Sequence, residues 1–259
     1  MKARLKFNKY GAMKFIGHLD IMRYFQKAFR RAGIDIAYSQ GYNPHQLTSF
    51  ASPLGVGLTS DGEYMDMQLN SDITEEEFLS KINETMAHGI SVISFKPLKD
   101  DCIKSMAAVA AADYMVSLKD GYEVIENFQE KFNLFIAQSE IVVTKKTKKS
   151  EVVMDIKPAI YHYALSEQEF ASRTNQEYDL SFADTYNNDN VVFMQLSAGS
   201  VQNLKPELVM EAFYNFIGAE MKPFCFQIHR MDMYANDVTK EEAEQGVKNL
   251  VSLDKFEIA

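Results

Sequence analysis

The 259-residue chain is 46% apolar, enough for one large or two ordinary domains with a substantial core. No run reaches the ~18 apolar residues of a membrane span, and the basic start MKARLKFNKYG lacks a signal-peptide core, so a cytoplasmic protein with no membrane attachment is expected. Two distant cysteines, Cys102 and Cys225, argue against a disulfide framework and rule out a self-contained four-cysteine zinc or iron–sulfur site, and the net charge of −9 is unevenly spread. Residues 1–50 carry nine Lys and Arg against two Asp and Glu, which leaves −16 for the remainder. A basic N-terminal stretch on an acidic body points to a localised anionic ligand or to a solvated helix face.

Residues 2–9 alternate as a strand, and 12–16 are expected to continue it after a turn at Gly11. A helix starts at His18, with Ile21, Met22, Phe25, Ala28, Phe29 and Ala32 on an apolar face. Asp20, Arg23, Lys27, Arg30 and Arg31 fall opposite, and Gly33 closes the helix. Residues 34–38 are short and β-like, and 39–45 (SQGYNPH) form a loop in which Gly41 permits positive φ and Asn43-Pro44 starts a turn. Residues 46–52 predict a strand, 53–62 a loop, and 63–69 an alternating strand. Thr74 with Glu77 has capping-box form for a helix reaching about His88, and 90–95 give a further strand.

Residues 99–112 form a packed connector without Gly or Pro, after which the order repeats. A strand (113–118) leads to a helical stripe of Ile125, Phe128, Phe132 and Phe135, then a hairpin (141–144 and 152–156) with a basic tip at 145–149. Strands at 159–165 and 191–196 flank a polar insertion at 166–190, expected to be mobile, and Pro206 opens a helix that ends at Gly218. Residues 224–234 alternate as a last long strand, and 237–259 predict a tail helix. Two successive β-α-β-β-α-β patterns imply an α+β chain of two tandem ferredoxin-like domains, residues 1–98 and 113–236, joined by the connector 99–112.

Several chemistries lack a starting point. Gly55-x-Gly57 is followed by a strand and by Ser60 where a dinucleotide loop needs its third glycine, and no Walker lysine, GxSxG or three-cysteine cluster exists. What remains is His18, Asp20, Arg23, Ser39, Asn43, His45, Ser49, Glu63 and Asp66, which the ferredoxin-like order can gather at one end of a sheet, with Lys27, Arg30 and Arg31 on the adjoining helix face and Gln40 and Gly41 in the same loop. The basic residues suit phosphates, and the two histidines suit ligand reading or acid–base work. His18, His45 and a carboxylate could ligate a metal, although no HxxxH or HxH spacing supports it. The structural alternative makes Asp20 a helix-start residue and His45 a turn partner. The acid–base candidates are His18 and His45; no metal and no resident cofactor are expected.

With these residues in view, the chain resembles the bacterial radical-SAM-linked protein family. The likeness lies in GHLDIMRYFQKAFRRAGIDIAYSQGYNPHQLTSFASPLGVGLTSDGEYMDMQL (residues 17–69), and more weakly in DIKPAIY and GSVQNLKPELVMEAF. It departs at Gly17, usually Ser, and at Gln46-Leu47, where the family has a Pro-basic pair. The resemblance implies an accessory protein that works with a radical S-adenosylmethionine partner, and the basic helix suggests RNA, rather than DNA, or another anionic substrate. The alternatives are an RNA-processing or RNA-modifying enzyme using His18 and His45, by analogy with CRISPR repeat-processing endoribonucleases of paired ferredoxin-like domains, and a ligand-free scaffold.

Overall fold

The computed structural model describes residues 1–146, 151–200 and 202–259; the side chains of the basic tip at 145–149 lie outside these. The chain is a mixed α+β protein with a large, mostly antiparallel sheet. It divides into two compact units, one of Met1–Ala111, Asp179–Ala183 and Arg230–Ala259, the other of Ala112–Tyr178 and Asp184–His229. Among the described residues no helix is long and apolar enough to cross a membrane.

In the first unit, strand β1 (Lys2–Lys9) leads to helix α1 (His18–Arg31), and strands β2 (Thr48–Phe50) and β3 (Thr59–Gln68) follow. Helix α2 (Glu75–Asn83), strand β4 (Ile90–Pro97) and the short helix α3 (Ser105–Ala108) complete the N-terminal part. β1 pairs antiparallel with β3 (Lys2↔Gln68) and with β4 (Ala3↔Pro97), while β2 pairs with the end of β3 (Phe50↔Met65). The alternation of β1 sends Ala3, Leu5 and Phe7 to one face, where they pack with Phe25 and Phe29 of α1, Met65 of β3, and Phe78 of α2. Phe78 stacks on Phe95 at 3.9 Å.

Alternation alone leaves the second face of β1 to solvent, yet Arg4 is 1% exposed. Its guanidinium is neutralised by Asp66 (Nε to Oδ1, 2.7 Å) and donates to the carbonyls of Leu253 and Phe256. Those carbonyls belong to the C-terminal segment, which is not the expected tail helix. Thr239 and Glu242 form a full capping box, but Gly246 at φ +81° stops helix α7 (Lys240–Glu244), and the β-prone residues beyond it form a strand. That strand, β11 (Leu250–Ser252), pairs with β10 (Phe226–Asn236) at Tyr234↔Ser252.

Three further expectations are corrected. Residues 12–16 do not extend β1; Gly11 at φ +55° starts a 3-10 turn, Gly11–Phe15, in which Met13 N–H donates to the Tyr10 carbonyl. The loop read at 53–62 ends early because β3 begins at Thr59, where Ser60 Oγ donates to the Arg230 carbonyl at 2.9 Å. α2 stops at Asn83, whose amide brackets the backbone of Val92 through two 2.9 Å hydrogen bonds. Its N-terminus keeps the Thr74 half of the expected box, Thr74 Oγ1 accepting from Glu77 N–H at 3.2 Å, while the Glu77 carboxylate accepts from Lys81 at 2.6 Å. Replacing Thr74 by Ala should cost about 1 kcal/mol in urea unfolding; no change in midpoint would deny the cap its role.

In the second unit β5 (Val109–Leu118), most of which belongs to it, is followed across the sheet by β9 (Val191–Ser197) and β8 (Ile160–Ala164), and residues 226–229 of β10 lie on the other side of β5. The connector read at 99–112 thus holds α3 and the first residues of β5. Helices α4 (Phe128–Ile136) and α6 (Pro206–Ile217) share a ring cluster in which Phe213 lies 5.1 Å from Phe132 and 5.6 Å from Phe135. β6 (Val142–Lys146) and β7 (Glu151–Asp155) form a separate hairpin. The polar stretch 166–190 contains helix α5 (Glu167–Thr174), capped by Ser166 and anchored by buried Phe170. Its later asparagines bond backbone, as Asn190 Oδ1 does to Ile125 N–H at 2.8 Å.

Candidate functional site

Helix α1 buries Ile21, Phe25, Ala28 and Phe29 and ends in a Schellman-type turn. Gly33, at φ +64°, donates to the Arg30 carbonyl, and Ile34 N–H reaches the Phe29 carbonyl at 3.0 Å. At 3.6 residues per turn, Asp20, Arg23, Lys27, Arg30 and Arg31 occupy an arc of about 100° opposite the core. All five are exposed. Arg23 makes a solvent-exposed pair with Asp20 at 3.4 Å, worth little in water, and Arg31 donates to the Thr85 carbonyl at 3.1 Å. Among the described residues, the side chains of Lys27 and Arg30 make no hydrogen bond or ion pair. Arg30 and Arg31 also suit the negative C-terminal end of the helix.

The loop at 39–45 closes on itself. Ser39 N–H donates to the His45 carbonyl at 2.9 Å, His45 N–H donates to Ser39 Oγ at 3.1 Å, and that hydroxyl lies 2.8 Å from His45 Nδ1. Gly41 at φ +115° lets so short a loop turn. Gln40, Gly41, Asn43 and His45 are exposed, and Tyr42 is wholly so. The next residue, buried Gln46, ties the loop to α1 through a 3.4 Å hydrogen bond to the Gln26 carbonyl. Tyr42 was absent from the sequence candidates; its place beside a turn glycine was the available signal.

His18 and His45, expected to meet at one end of the sheet, do not share a cavity. His18 packs edge-on against Phe50 at 5.1 Å and borders a void of about 10 Å³ with Lys9, Ser52 and Glu63. His45 borders a different cavity of about 380 Å³, which neither His18 nor Glu63 lines. An acid–base pair needs both groups within reach of one substrate proton, and these two imidazoles border different cavities. Among the described residues no group of three or more His, Cys, Asp or Glu is placed to hold a metal ion.

Glu63 has a structural role that the sequence candidates did not foresee. It is 3% exposed and forks with Arg230, Oε1 accepting from Nε at 2.8 Å and Oε2 from Nη2 at 2.5 Å. Arg230 also donates to the Ser52 carbonyl at 3.0 Å. Buried Lys9 donates to the Ile16 carbonyl at 2.9 Å; desolvation lowers its pKa, with Glu63 opposing and Arg230 reinforcing that shift. The candidate site therefore resolves into an exposed cationic helix face with an adjoining polar loop, and a separate buried charge cluster behind His18.

A search of curated proteins finds no match to this chain. Residues 2–206 match the model of a family described as an uncharacterized protein conserved in bacteria, DUF2344. That match covers most of the chain, β1 through the start of α6, including both the cationic helix and the loop it adjoins, and the chain belongs to the DUF2344 family.

Proposed function

We propose that this chain is a cytoplasmic accessory protein that binds RNA, or another polyanion, on α1 and the loop at 39–45, beside a radical S-adenosylmethionine partner. The observation that carries the reading is the exposed arc of Arg23, Lys27, Arg30 and Arg31, with Lys27 and Arg30 uncommitted to any protein group among the described residues. Phosphate contacts supply affinity of this kind, and a neighbouring exposed aromatic such as Tyr42 offers a stacking surface for an unpaired base. The radical-SAM association rests on the resemblance over residues 17–69, and with two cysteines in this chain any iron–sulfur cluster belongs to the partner. We read the architecture as two tandem ferredoxin-like domains. Supporting it, β4-β1-β3-β2 and β10-β5-β9-β8 follow the same 4-1-3-2 neighbour order, the first over a β-α-β-β-α-β segment and the second with the β6–β7 hairpin and α5 added to that order.

Fluorescence anisotropy with a single-stranded RNA tests the ligand. Four phosphate contacts give a slope of about −3 in log affinity against log salt, and an Arg23→Ala/Lys27→Ala/Arg30→Ala variant should flatten it to about −1. Binding that ignores salt, or that survives the triple substitution unchanged, would remove the cationic face from the mechanism. Co-purification of the radical-SAM protein with the tagged chain tests the partner.

A further inference from the structure

The cavity of about 380 Å³ beside His45 lies wholly within the first unit and is lined by none of the α1 basic residues. Its volume falls in the roughly 300–1,000 Å³ range of small-molecule pockets. Leu47, Met67 and Leu98 supply an apolar wall, and Lys2, Lys104 and His45 supply nitrogen donors. Lys104 is exposed, and among the described residues its ammonium has no hydrogen bond or ion pair. His45 Nδ1 is engaged by Ser39 Oγ, which leaves Nε2 for a ligand. Lys2 donates to the Asp100 carbonyl, a neutral acceptor, so its charge stays uncancelled there.

The one carboxylate in the lining is Asp66, and it is already satisfied. Arg4 holds both its oxygens, at 2.7 and 3.4 Å, and Ser105 N–H donates to Oδ2 at 2.6 Å. Glu257, the other carboxylate near Cys102, accepts from Ile103 N–H at 2.6 Å. With Asp66 cancelled by Arg4, the two lysines outnumber Glu257, which lies outside the lining and keeps its charge, and leave a net positive field over a partly apolar pocket. Two ammonium groups and an imidazole donor match a dianion with three acceptor oxygens better than a carboxylate, which has two oxygens and one charge.

We infer that this cavity binds a small organic phosphate of mononucleotide size, its phosphate between Lys2, Lys104 and His45 and its flat body against Leu47, Met67 and Leu98. This goes beyond the polyanion reading, since a strand of RNA on α1 does not require the cavity.

Isothermal titration calorimetry of the full chain with AMP and UMP, and with adenosine and inorganic phosphate separately, tests it. Expected are binding of at least one mononucleotide, at least tenfold weaker binding of adenosine and phosphate alone, and at least a tenfold loss in Lys104→Ala. Ser49→Trp, which fills the cavity, should abolish binding; if that variant does not fold, the solvent-exposed Lys104→Ala decides. Lys27→Ala/Arg30→Ala should leave mononucleotide affinity unchanged while weakening RNA, so that the two proposals fail separately. No heat from either mononucleotide at millimolar concentration, phosphate alone matching AMP, or affinity unaffected by Lys104→Ala would overturn the assignment.

Discussion

Glu63→Ala should destabilise the protein by about 3–5 kcal/mol, because it removes the carboxylate that forks the buried Arg230 guanidinium. Both side chains are 4% exposed, so water cannot replace the lost partner, and Lys9 stands close enough to add like-charge repulsion once the carboxylate is gone. Urea unfolding at unchanged m-value would read the loss as a lowered midpoint. The paired replacement Glu63→Leu with Arg230→Met should recover most of it, since a buried pair exchanged for apolar side chains of similar volume is often neutral. A cost below about 1 kcal/mol for Glu63→Ala would mean that the fork contributes little, and would return Glu63 to the list of ligand-facing residues.

Phe25→Ala should cost about 3–5 kcal/mol, the range for truncating a fully buried phenylalanine. Phe25 is 1% exposed and its ring centre lies 4.8 Å from Phe7 of β1, 5.8 Å from Phe29 and 6.1 Å from Phe50 of β2. Through it α1 packs on both β1 and the short strand β2. Phe25→Leu, which keeps most of the volume, should cost clearly less, and the difference measures the aromatic packing. Equal losses for the two variants would show that the site collapses around either side chain and that α1 is held elsewhere.

The contrast between these two positions shows where a linear reading of the chain succeeds. Phe25 was placed in the core by its spacing from Ile21, Ala28 and Phe29, because a helix brings residues three and four apart onto one face regardless of what lies beyond. Glu63 was grouped with His18 and His45 because polar residues near a turn-rich motif look alike in sequence. Its partner Arg230 lies 167 positions away, and no local pattern announces the pairing. The same applies to Arg4, buried only because the C-terminal segment returns to cover it.

Local pattern thus determined α1 with its glycine stop, the closed loop at 39–45, β1, the capped start of α2, and the cationic face itself. These depend on 3.6- and 2-residue periodicities and on turn chemistry, all properties of neighbours in the chain. Tertiary structure alone decided that His18 and His45 border separate cavities and that Lys2, His45 and Lys104 border one. It also decided that residues beyond Gly246 form a strand against β10 rather than a helix. The physical reason is common to all three. Strand pairing joins residues many tens of positions apart, and the free energy of burying a charge or completing a sheet edge depends on partners that only the folded chain supplies.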